Sequence, residues 1–209
     1  MSDYQLVFRT LKKLGLLLLS DAELPSVAGL VAGEPVRGSW WGHRRAHEIF
    51  QVSESLADHA DVTTAKLVAN KVTFVHRDLW PALLAVGASK EPWQLKGLSR
   101  AEHAFLERLE REGELRTDRI KIAGGGRKAG VQARALEKKL LAHTEQVHTE
   151  SGAHAKVLES WTHWAKRVGV DVGRLAAKEG KNRIEKAAER LTERGGAKPR
   201  LPWSTKERS

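Results

Sequence analysis

The chain has 209 residues, 41% of them apolar, enough for one large or two small cores, which excludes a disordered chain. Lys and Arg number 36 against 26 Asp and Glu, and this net charge of +10 favours polyanionic partners: DNA, RNA or an anionic membrane surface. No cysteine is present, which excludes disulfides and thiolate metal sites and fits a reducing cytosol.

Leu6, Val7, Leu11, Leu14, Leu17 and Leu18 recur at helical spacing and predict a buried helix over 4–19. The run Leu14–Leu19 is far shorter than the roughly 20 residues of a membrane span. Asp3 and the missing small-residue cleavage site argue against an export signal. Gly29, Gly33, Pro35, Gly38 and Gly42 mark 21–42 as a loop with one helical turn. A helix is expected from Arg44 to His59, with Ile49, Phe50, Val52 and Leu56 facing inward. The β-branched runs Val62–Val68 and Lys71–His76, joined by Ala69-Asn70, predict a hairpin, since Asn accepts the positive φ of a tight turn. A short helix, Leu79–Val86, should end at Gly87, followed by a linker containing Pro92-Trp93.

Ser99 and Glu102 form a capping-box pattern that starts a helix over Arg100–Glu112, burying Ala101, Ala104, Phe105, Leu106 and Leu109 and ending at Gly113. Leu115–Ile122 reads as a short strand or helix, and Gly124–Gly126 as a flexible break. Val131–Leu141 is expected as a basic helix with Val131, Ala135, Leu136 and Leu140 on one face. His143–Thr149 and His154–Trp161 flank the turn signal Ser151-Gly152 and predict a second hairpin; the rival is one broken helical hairpin over 129–168. Helices are expected at Trp161–Val168 and over 174–194, then a mobile tail from Pro199. The fold class is therefore α+β and mostly helical. The expected parts are a helix and hairpin region over 1–92, a domain over 93–170, and a basic helix and tail over 171–209. Each half can hold a helix plus a hairpin, an analogy of architecture without a residue-level repeat.

The order in 98–161 resembles a winged helix. Leu98-Ser-Arg-Ala-Glu-His-Ala-Phe-Leu-Glu-Arg-Leu-Glu-Arg-Glu-Gly-Glu-Leu is similar to the first helix and turn of such domains. Ala135-Leu-Glu-Lys-Lys-Leu-Leu looks like the end of a recognition helix, and His143–Trp161 would be the wing. The resemblance covers about a third of the chain and implies nucleic-acid binding; other winged helices bind proteins or support dimers.

Charge points the same way independently. Arg116, Arg119, Lys121, Arg127, Lys128, Arg134, Lys138 and Lys139 are opposed within 116–139 only by Asp118 and Glu137. Such a helix can lie in a major groove and neutralise phosphates, and Arg can read guanine edges. The rival is a solvated face. In Gly38-Ser-Trp-Trp-Gly-His43, Trp41 could stack on a base, with His43, Arg44 and Arg45 contacting phosphate near a helix start; a purely structural anchor, one Trp buried and one exposed, weighs somewhat more. Among His143, Glu145, His148, Glu150 and His154, the pair His143 and His148 is five apart, unlike the i, i+4 pair of a helical zinc site; Glu150 and His154 could meet across the turn, but the group reads as a polar wing and no metal is assigned. Gly124–Lys128 lacks the preceding strand and the Lys-Ser/Thr ending of a nucleotide loop, so no cofactor is expected. His76 and Asp78 read as a strand end and helix cap.

The leading expectation is a cytoplasmic DNA-binding protein, with DNA ahead of RNA and no membrane partner. The first alternative is a repair enzyme of winged-helix glycosylase type, with Trp40, Trp41, His43 and His76 lining a base pocket. An RNA- or ribosome-associated factor and a purely structural interaction protein follow.

Overall fold

The computed structural model describes residues 1–120, 125–148, 154–171, 173, 175–192 and 198–204, the side chains of 125–127, 148 and 154 excepted. The fold is α+β and mostly helical, with two small antiparallel sheets among these residues. The chain divides into two compact units, Pro81–Gly180 and Met1–Trp80 with the segment returning from Lys181. The division falls at 80/81, and the segment from Lys181 groups with the first unit.

The first unit opens with helix α1, Asp3–Leu14, started by a Ser2–Gln5 capping box. Gly15 (φ 81°) ends it by donating its N–H to the Leu11 carbonyl at 2.7 Å. This corrects the expected helix over 4–19: Leu16–Leu18 form strand β1, fully buried although leucine favours helix, because tertiary context overrides that propensity. Helix α2, Val27–Ala32, is capped by the Ser26 hydroxyl, which accepts from Gly29 N at 3.1 Å. A 3-10 turn, Trp40–Gly42, leads to helix α3, Ala46–Ala57. Ile49, Val52 and Leu56 are buried as expected, whereas Phe50 is 39% exposed, lying one residue round the helix from the buried stripe. Strands β2, Val62–Lys66, and β3, Val72–His76, pair as the expected hairpin, with Ala69 and Asn70 both at positive φ. Strand β1 pairs with the other side of β3, giving the order β1-β3-β2. Val7, Leu11, Leu17, Val31, Ile49 and Phe74 belong to the core between helices and sheet.

The second unit begins with helices α4, Trp80–Gly87, and α5, Pro92–Leu95. A Cβ at Gly87 would lie 2.2 Å from the Trp161 ring, so only glycine permits that close approach. Helix α6, Arg100–Glu112, carries the Ser99–Glu102 capping box; Phe105, Leu106 and Leu109 are buried, but Ala101 and Ala104 are exposed. Strand β4, Glu114–Arg116, follows, then helix α7, Gly125–Lys138, which starts within the glycines expected to be a break. Strands β5, His143–His148, and β6, His154–Glu159, form the expected hairpin, its turn signal Ser151-Gly152 lying outside the described residues. Strand β4 pairs with the other side of β6, giving β4-β6-β5. Helix α8, Trp161–Val168, is capped by Ser160. In each unit a single strand is followed by helix and then a hairpin, and that first strand is laid against the hairpin's second strand.

Helix α9, Ala177–Arg190, buries Ile184, Ala187 and Ala188. Arg190 donates to the Leu14 carbonyl at 2.9 Å and so caps the C-terminal end of α1. The expected mobile tail is a docked strap over its described part: Leu201 is 4% exposed, and Ala69 N donates to the Arg200 carbonyl at 2.7 Å.

Candidate nucleic-acid interface

Ala129, Ala133 and Leu136 of α7 pack with Phe105, Leu109, Leu115 and Leu158 in the second unit's core. Helical periodicity then fixes what faces outward. Lys128, Arg134 and Lys138 are exposed, the last two four residues apart on one face. Val131 is 57% exposed and falls among them, not with Leu136 and Leu140, because five residues carry the chain well past one turn. Ala135 is half-buried. The result is a cationic helix face with an apolar side chain in its middle.

The other expected cations separate by partner. Arg119 is exposed. Arg116 grips Asp118 through Nε at 2.9 Å and Nη2 at 3.2 Å, and this hydrogen-bonded pairing holds the Asp118 carboxyl below its ordinary value. Lys139 donates to the carbonyls of Lys96 at 2.7 Å and Trp93 at 3.3 Å, a structural clamp. Glu137 is engaged by Lys156 and by the Thr144 hydroxyl at 2.9 Å, so this acid of α7 is neutralised by a lysine of β6. Lys121 and the Arg127 side chain lie outside the described residues.

In the first unit Trp40 is buried and Trp41 is 63% exposed. Their rings stack at 4.0 Å, and Phe50 lies 5.7 Å from Trp41. His43 is held by Glu34 at 3.3 Å and accepts from Arg45 N at 3.1 Å. Arg45 reaches Asp3 at 2.6 Å and also donates to the Val31 carbonyl, so it ties helices together. Arg44 is exposed. Of this expected group, then, Trp41 and Arg44 face solvent, while His43 and Arg45 are bound into the fold. His76 is buried, 3.1 Å from the Asp78 carboxylate.

One cluster escaped sequence reasoning. Glu159, 3% exposed, accepts from Arg167 Nε at 2.8 Å and Nη2 at 2.5 Å, and lies 3.2 Å from His143 and 3.1 Å from His163. Burial would raise the Glu159 carboxyl, but the His143 and Arg167 contacts outweigh it and hold it well below the ordinary value. Arg167 is raised in turn, chiefly by its hydrogen bond to Glu159. His143 stacks on Trp164 at 5.2 Å. Glu159 faces His143 across the hairpin, so the hairpin register was the signal that could have found it. His143, Glu145 and Glu159 come close enough to hold a metal, as do Glu114, Glu159 and His163. The Arg167 guanidinium donates to both oxygens of Glu159, which both groupings share.

Among the described residues no helix is long and apolar enough to cross a membrane. The family model described as AlkZ related matches residues 1–198, and the chain belongs to that family. AlkZ denotes a family of DNA alkylation-repair proteins, which links the chain to DNA repair. No curated protein and no solved structure matches the chain.

Proposed function

From this membership and the face of α7, we propose that the chain is a DNA-binding repair-associated protein that docks on duplex DNA through a winged-helix-like second unit. The carrying observation is the outward set Lys128, Val131, Arg134 and Lys138 on one helix. The order α6, β4, α7, β5, β6 with sheet order β4-β6-β5 supports the winged-helix reading, α7 standing as recognition helix and the β5–β6 hairpin as wing. A helix about 10–12 Å across fits the roughly 12 Å major groove of B-DNA. There Arg134 and Lys138 meet phosphates or guanine edges, and Val131 offers apolar contact to a thymine methyl.

The groove also selects the nucleic acid. The major groove of A-form RNA is too narrow to admit a helix. Titrating the protein with a labelled DNA duplex and an RNA duplex of equal sequence tests the reading. DNA should bind at least tenfold tighter; equal or reversed affinities refute major-groove docking.

The glycosylase alternative draws on the same repair family but needs Trp41, His43 and His76 at one pocket. His43 is bound to Glu34 and His76 is buried, so the binding reading has the stronger geometric support.

A further inference from the structure

We propose that Trp41 is a stacking platform for an unpaired DNA base, a site on the first unit distinct from the α7 face. The proposal rests on the DNA reading above and names the ligand chemistry this unit would take. Burial of the loop does not require Trp41: Trp40 is the buried anchor, and its ring covers one side of Trp41 at 4.0 Å with a 24° interplanar angle. Phe50, 39% exposed, sits against Trp41 at 5.7 Å, tilted by 36°. An indole braced in this way, 63% exposed, presents a preordered aromatic surface on which a base can extend the stack.

Charge complementarity selects a nucleic acid over an apolar partner. Exposed Arg37 and Arg44 flank the Trp pair in sequence. Arg44 lies just before α3, whose first residue follows an N-cap, Arg45, that supplies no side-chain cap, so the positive end of a twelve-residue helix adjoins it. Glu48 in the first turn is paired with Arg45 at 3.6 Å. A base on Trp41 would set its phosphate near Arg44. In a fully paired duplex the bases are stacked inside and unavailable, so the platform discriminates unpaired from paired DNA.

The test uses the full chain and three labelled probes: a paired duplex, the same duplex with one unpaired base, and the single strand. Trp41→Ala should weaken binding of the last two by about tenfold and leave the paired duplex within about twofold. Trp41→Phe should restore most of the loss, and Trp41→Leu should not. Because the side chain is exposed, Trp41→Ala should melt with the parent, which separates lost stacking from lost folding. Equal effects of Trp41→Ala on all three probes, no effect on any, or full rescue by leucine would each overturn the platform; the last would mark an apolar protein-docking face instead. If the α7 reading alone fails, the paired duplex does not bind, yet single-strand binding remains sensitive to Trp41, which supports the platform.

Discussion

Trp203 donates its indole N–H to a Glu185 carboxylate oxygen at 2.6 Å, tying the C-terminal strap to α9. Leu201, two residues earlier, is buried. Leu201→Ala should therefore cost about 2–5 kcal/mol, the usual range for a buried leucine. For a chain of this size that is a fall of several degrees in Tm. Trp203→Phe keeps most of the contact area and loses one hydrogen bond to a charged group, so its cost should be smaller, about 1–2 kcal/mol. Thermal melts of both variants check this; an unchanged Tm for Leu201→Ala would show that the strap contributes no stability.

The Glu159 cluster predicts a pH dependence. The folded carboxyl titrates below the unfolded one, whose ordinary value is about 4.3. The cluster's contribution is thus fully present above that value and is lost progressively as pH falls below it. Glu159→Gln should destabilise the protein at pH 7 by about 2–3 kcal/mol, below the 3–5 typical of a broken buried pair, because Arg167 is half exposed and can turn to water. Urea unfolding at pH 7, 5 and 3 should show the gap between parent and variant closing with acid. A gap independent of pH would mean that the carboxylate charge is not what stabilises.

Gln94 is fully buried and its amide is completely engaged. Its Nε2 donates towards the carbonyls of Gly87 and Lys139 at 3.2 Å and Leu140 at 3.3 Å, while Oε1 accepts from Ser89 and Glu91, both at 2.9 Å. Gln94→Leu strands several buried polar groups and should cost about 2–4 kcal/mol. Gln94→Glu puts a carboxylate against those carbonyl oxygens at pH 7, whereas a protonated carboxyl can donate to one of them. This variant should be more damaging at pH 7 than at pH 4.5, relative to the parent at each pH, as measured by chemical denaturation. Equal damage at both values would contradict the assigned amide orientation.

Local chemistry made much of this legible. The Ser99–Glu102 capping box, the stop at Gly113 and the Asn70 turn are each decided by neighbours within a few residues, and the structure follows them. Leu16–Leu18 could not be read in that way, because five leucines around one glycine suit a helix, and only pairing with β3 makes them a strand. Hydrophobicity alone favours an inward Phe50 and Val131; strict periodicity puts both on outward faces, where an apolar side chain has another use. The cationic face of α7 was visible in sequence, but the removal of Lys139 and Arg116 by structural partners was not, since those partners lie on other elements or depend on a turn. Two prolines and few apolar residues resemble a tail, yet a buried leucine and hydrogen bonds such as Ala69 N to the Arg200 carbonyl and Trp203 to Glu185 hold the strap's described part.

The central claim, that the face of α7 holds duplex DNA, is tested most directly by the salt dependence of binding in the parent and in Arg134→Ala/Lys138→Ala. Arg119, Lys128, Arg134 and Lys138 are the exposed cations of the described interface. If each neutralises one phosphate, log affinity should fall against log salt with a slope of about −4. The double variant should bind more weakly, with a slope shallower by about 2 and an unchanged Tm, because both side chains lie in solvent. Coincident slopes and equal affinities in the two proteins would contradict the account.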